Sequence, residues 1–112
     1  MPKSIPRAYS RYCRDAAALL GSLIREARNA RKLTAQELAD RAGISRGLLQ
    51  RIEKGNLKCE IGAVFEVATI VGVRLFDADE TTLTKYLAQA REKLALLPKS
   101  VRRKQKAVRD DF

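Results

Sequence analysis

A chain of 112 residues has room for one domain with one modest core. Its hydrophobic content of 46% excludes a fully disordered polymer, and no run of apolar residues reaches the length of a membrane span. Twenty-three Lys and Arg against 13 Asp and Glu give a formal net charge of +10, which suits an acidic partner as well as a solubilising surface.

The placement of that charge is more informative than its size. Residues 1–14 carry +4, residues 15–58 carry +4, residues 59–97 carry −2 and residues 98–112 carry +4. Basic ends and a basic first half fit a molecule that turns one face to phosphate. Cys13 and Cys59 form no CxxC pair and the chain has no histidine, so no metal or other cofactor is expected and two free thiols are. Without histidine, a paired-acid site or a cysteine-centred cluster, nothing is set up for proton transfer, and an enzyme is not expected.

Residues 1–14, MPKSIPRAYSRYCR, read as a basic N-terminal arm, since Pro2 and Pro6 oppose helix. Such an arm either reaches across a duplex or trails without a fixed role. Tyr9 and Tyr12 need surfaces to pack on, which predicts order from Tyr9 to Arg14. The basic start followed by apolar residues 16–24 mimics a signal peptide. However, Asp15 precedes the run, no small-residue cleavage site follows it, and it continues into the first helix. A cytoplasmic location is expected.

The first helix is predicted from Asp15 to Lys32, with Leu19, Leu20, Leu23, Ile24 and Ala27 forming one apolar face. Arg25, Arg28, Arg31 and Lys32 lie late in it, where cations suit the negative end of the helix dipole. Gly21 weakens this helix by up to about 1 kcal/mol relative to alanine unless a neighbour packs closely there.

From Thr34 to Gly55 the sequence is TAQELADRAGISRGLLQRIEKG. Thr34 and Glu37 fit a capping box opening a second helix, Ala35 to Ala42, with Leu38, Ala39 and Ala42 at helical spacing. Gly43 closes it, because glycine enters the left-handed region without steric cost. Ser45 caps a third helix, Arg46 to Lys54, and Gly55 ends that one. If Leu48, Leu49 and Ile52 face inward, then Arg46, Gly47, Gln50 and Arg51 face outward. Helix, short glycine turn, helix is the arrangement whose second member enters the DNA major groove.

These residues resemble the Cro/C1-type (Xre) helix-turn-helix family of phage repressors and bacterial regulators. Ala39, Gly43-Ile44-Ser45, Leu49, Ile52-Glu53 and Gly55 stand where its pattern places them, over roughly residues 19–73. The resemblance implies an all-α, lambda-repressor-like five-helix DNA-binding domain over residues 15–76, with basic N- and C-terminal tails. It also implies a buried ion pair between Arg28 and Glu53. Ser45, Arg46, Gly47, Gln50 and Arg51 become the candidate DNA-reading residues, with arginine suited to guanine edges and Gln50 to adenine or a phosphate. Gly47, having no side chain to read with, lets backbone approach the duplex. Lys54, Asn56 and Lys58 are candidate phosphate contacts. The family's glutamine directly after the cap threonine is replaced by Ala35, which leaves Gln36, one residue later, as the candidate for that phosphate contact.

A fourth helix is predicted from Glu60 to Val71, with Ile61, Val64, Phe65, Val67, Ala68 and Val71 making it apolar on most sides. Gly72 ends it, and residues 73–76 are expected to drop onto the core. Residues 77–98 hold a fifth helix, from Thr81 or Thr82 to Leu97, stopped by Pro98. Leu83, Leu87, Ala90, Leu94 and Leu97 step by four and three, a short heptad seam. The seam either packs on its own domain or pairs two copies, and a chain that binds a palindromic operator needs such a surface. Residues 99–112 form a basic tail ending Asp-Asp-Phe, either disordered or docked on a partner.

The function expected is a dimeric, sequence-specific transcriptional repressor of double-stranded DNA. A small domain with an added helix and tail further resembles HipB-type antitoxins, which neutralise a HipA-like toxin kinase and repress their own operon. A stand-alone prophage-type repressor is the alternative, and a protein-interaction module with vestigial DNA binding is the rival from another class. RNA binding is disfavoured by the lack of a stacking aromatic set.

Overall fold

The computed structural model describes residues 8–101. Pro2, Pro6 and the terminal Asp-Asp-Phe, on which the readings of an arm and a docking tail rest, lie outside that range. The described residues contain five α-helices and a short 3-10 segment, with no strand among them. They fall into two units, divided between Asp77 and Ala78.

Helix α1 spans Arg11–Ala30 and begins four residues before the expected start. Ser10 is the reason: it lies in the extended region and its Oγ accepts the Cys13 N–H at 3.1 Å. Residues 11–14 are therefore helix and not arm. At the other end Lys32 takes φ 59°, and the Leu33 N–H turns back to the Arg28 carbonyl at 3.1 Å. A lysine here does what a glycine usually does at a helix close.

Only part of the expected apolar face of α1 is inside. Ile24 is fully buried, with Leu20 and Ala27 packed against the core, but Leu19 is 61% exposed and Leu23 is 40% exposed. Both belong to a stripe with Tyr12 and Ala16, spaced four, three and four, which runs along a different side of the helix from Ile24.

Helix α2 (Ala35–Ala42) opens with both bonds of the capping box: Thr34 Oγ1 accepts the Glu37 N–H at 3.0 Å, and Glu37 Oε1 accepts the Thr34 N–H at 2.8 Å. Gly43 closes it at φ 69°, with the Ile44 N–H donating to the Ala39 carbonyl at 3.0 Å. Ser45 then caps α3 (Arg46–Glu53), its Oγ accepting the Leu48 N–H at 3.1 Å. Helix α3 stops one residue before Lys54. Helix α4 (Ile61–Ile70) follows, with Val67 and Ala68 buried. Its first residue, Ile61, is 66% exposed, so the expected burial on most sides fails over the first turn.

The core is one cluster of Ile24, Leu38, Ala39, Leu49, Ile52, Val67, Ala68 and Val71. Helix α2 packs on α3 and α4, while α1 packs on α3. Val73 and Leu75 join the edge of this cluster, but Phe76 does not: it is 75% exposed. Phe76 and Asp77 both take left-handed backbone, at φ 57° and 51°, and that turn throws the ring outward.

In the second unit α5 (Glu80–Ala95) is capped by Asp79, whose Oδ1 accepts the Thr82 N–H at 2.8 Å. It ends two residues before Leu97, because the residue preceding Pro98 is driven from helical backbone. Leu97 is therefore off the helix that carries Leu83, Leu87, Ala90 and Leu94. No residue of α5 is buried.

Candidate nucleic-acid interface

Two apolar anchors fix the orientation of α3. Leu49 is 0% exposed and Ile52 is 3% exposed, which turns one side of an eight-residue helix wholly inward. With 3.6 residues per turn Gly47, Gln50 and Arg51 lie on the opposite side and Arg46, in the first turn, at its flank, and all four are exposed. Leu48 is half-buried and covers the core's edge, as its size predicts.

The last turn of α3 is held from α1. Arg28 Nε donates to Glu53 Oε2 at 2.7 Å and its terminal nitrogen to Oε1 at 3.0 Å, a two-pronged pair in which both side chains are largely buried. The other terminal nitrogen donates to the Leu33 carbonyl at 3.0 Å. One guanidinium thus joins α1, the approach to α2 and the end of α3. Its hydrogen bond to Glu53 raises the Arg28 pKa beyond an already high ordinary value, against an opposing effect of burial.

At Gly21 the backbone of α1 lies directly against the end of α3. A methyl carbon placed there would come within 2.5 Å of the Ile52 carbonyl oxygen and 2.7 Å of that of Glu53. Gly55, at φ 80°, seats the following loop against Ala17 and Ala18 in the same way. Small residues on α1 let α3 and the loop after it dock backbone to backbone.

On the outward face, neither Arg46 nor Arg51 makes a hydrogen bond or ion pair among the described residues. Their ten N–H donors are unspent, and each guanidinium is a fork that matches the paired acceptors of a guanine edge. Gln50 likewise has both ends of its amide open. Gly47 has open space where a side chain would be. The Ser45 hydroxyl accepts within the helix start and keeps its own O–H to donate. Gly47, Gln50 and Arg51 thus share the face opposite the anchors, and Ser45 and Arg46 stand exposed at the start of the helix beside it.

The flanking candidates are arranged differently. Gln36 on α2 donates through Nε2 to Asp40 Oδ1 at 2.8 Å, leaving one amide N–H free. Asn56 Oδ1 accepts the Lys58 N–H at 2.8 Å, which shapes the loop after α3, while the Lys54 and Lys58 side chains are exposed on either side of it.

One supporting contact has no signal in the sequence. Arg31 Nε donates to the Val71 carbonyl at 2.8 Å and so caps α4 from the far end of α1, across 40 residues of chain. Cys13 and Cys59 are both free thiols. Among the described residues no group of three or more His, Cys, Asp or Glu side chains could hold a metal ion, and no helix is long and apolar enough to cross a membrane.

Residues 19–81 match the family model of a helix-turn-helix domain, a stretch that covers α2, α3, α4 and most of α1. No curated protein and no solved structure matches the chain.

Proposed function

This chain belongs to the helix-turn-helix domain family, and from that premise we propose that it is a cytoplasmic, sequence-specific, dimeric repressor of transcription. The observation that carries the reading is the pair Arg46 and Arg51, exposed and without a partner among the described residues, on a helix anchored by Leu49, Ile52 and the Arg28–Glu53 pair. Helix α3 enters the major groove, Arg46 and Arg51 read base edges, and Ser45, Gln50 and Gly47 bring the helix close. Gln36, Lys54, Asn56 and Lys58 hold phosphates and set the register. Two copies, joined through the exposed Leu83, Leu87 and Leu94 of α5 with Ala90 between them, read half-sites about one helical turn apart. Polymerase is excluded by occupancy alone.

Within this class the added helix and basic tail favour an autoregulating antitoxin of a HipBA-like pair over a stand-alone prophage-type repressor. Co-purification with the product of a kinase-like neighbouring gene supports the first, and a neighbourhood of lysis or integration genes supports the second. The class itself is tested by footprinting the pure chain on its own upstream region, with single-stranded RNA as competitor at fixed salt. Protection of a two-fold symmetric site that RNA does not displace is expected. Protection nowhere, or RNA competing on equal terms, contradicts the proposal.

A further inference from the structure

The first two turns of α1 carry charge that the reading above leaves unused. Arg11, Arg14, Ala18 and Arg25 are spaced three, four and seven apart, which sets them along one edge of the helix. That edge is located by Ala18, whose backbone is seated against Gly55 in the loop after α3. Arg14 lies one turn beyond this contact and Arg11 another, about 6 and 10 Å along the axis at 1.5 Å per residue. The start of α1 thus projects past the end of the reading helix, beside the loop of Lys54, Asn56 and Lys58.

Both arginines are exposed. Arg14 spends one terminal nitrogen on the Tyr9 carbonyl, which fixes its stem and leaves its remaining donors. Among the described residues Arg11 makes a loose 4.0 Å contact to Asp15, with both side chains in solvent. A contact of that kind gives little stability and yields to a stronger anion.

We propose that Arg11 and Arg14 form a second phosphate-binding site, which continues the track of the Lys54–Lys58 loop onto the DNA backbone flanking each half-site. The site rests on the reading of α3 as a DNA-binding helix and adds affinity without sequence preference. Ser10 builds it: by starting the helix at Arg11 it gives both arginines a rigid mount beside the loop, where a tail would leave them mobile.

The test uses the full chain and a duplex recovered by selection with the unsubstituted protein, beside a duplex of scrambled sequence. Affinity is followed by fluorescence anisotropy from 50 to 200 mM salt. Each phosphate contact contributes about 0.9 to the slope of log K against log salt. In Arg11→Gln/Arg14→Gln the slope is expected to fall by about 1.8 per half-site, about 3.6 for the two copies on one duplex, so the unsubstituted chain loses about 150-fold more affinity across the range than the variant does. The ratio of selected to scrambled binding stays the same, and Arg11→Lys/Arg14→Lys, which keeps the charges, restores the slope. An unchanged slope in the glutamine variant overturns the site while leaving the DNA-binding reading intact. A slope that the lysine variant fails to restore also overturns it, by assigning the loss to a disturbed helix. If the unsubstituted chain binds neither duplex, both proposals fall.

Discussion

The α-carbon of Gly21 faces the carbonyl oxygen of Ile52 so closely that a methyl carbon on it would stand 2.5 Å away. On an exposed helix, replacing glycine with alanine stabilises by about 1 kcal/mol. Here the added carbon meets backbone, which cannot rotate aside, and α3 must move. Gly21→Ala is expected to reverse the usual sign and destabilise the domain by about 1–3 kcal/mol, the range for overpacking a tight contact. Urea unfolding of the two proteins measures this. A stabilised variant contradicts the packing of α1 on α3.

Removal of one partner of the Arg28–Glu53 pair leaves the other charge buried without its counter-ion. Arg28→Ala is expected to cost about 3–5 kcal/mol, and Glu53→Gln less, because an amide still accepts a hydrogen bond from the guanidinium. Calorimetry of both variants orders them. Equal small losses would place the pair in solvent.

Glu37 gives the fold a dependence on acid. Its carboxylate accepts the Thr34 backbone N–H, and this bond, with the Thr34 side chain and Arg41 adding to it, lowers its pKa below the ordinary value. A carboxylate with a depressed folded pKa contributes stability that is fully present above its unfolded value, about 4.3, and is lost as pH falls through the folded value. The stability difference between the unsubstituted chain and Glu37→Gln should therefore be present at pH 7 and shrink below about pH 4. Thr34→Ala, which removes the cap itself, should cost about 1 kcal/mol. Denaturant midpoints across that range decide the matter, and a difference that grows in acid contradicts the capping box.

Leu87, at the centre of the exposed seam of α5, is 48% exposed in the single chain. Burial of a leucine contributes about 1.5–3 kcal/mol, so Leu87→Asp should weaken self-association by at least about tenfold. Sedimentation equilibrium reads the change, with helix content by circular dichroism unaltered. A variant that associates as before removes α5 from the dimer.

Local chemistry was legible in the sequence and distant contacts were not. The capping box at Thr34 and Glu37, the left-handed Gly43 and the Ser45 cap each lie within four residues of what they hold, and spacing alone reveals them. The start of α1 at Arg11 rests on Ser10, a cap that no Glu or Gln three residues on marks in the sequence, since Cys13 stands there. Leu19 and Leu23 have the same composition and nearly the same spacing as the buried Ile24, and only the position of α3 divides them. Lys32 and Phe76 take backbone conformations that their side chains disfavour, so neither announces its turn. The bond from Arg31 to Val71, and the value of Gly21 as a docking point, depend on partners tens of residues away. The exposed face of α3 was legible for the opposite reason: once Leu49 and Ile52 are inside, the helical period turns Gly47, Gln50 and Arg51 out, and Arg46 stands exposed at the first turn.

The most direct measurement is base preference. Selection of duplexes from a random library by the unsubstituted chain, by Arg46→Ala and by Arg51→Ala compares them position by position. Each substitution is expected to erase preference at one base pair of the half-site, a loss of about 1–3 kcal/mol of discrimination, and to leave the others as they were. Identical preferences in all three proteins, or no enrichment by the unsubstituted chain, would contradict the assignment of α3 as the helix that reads DNA.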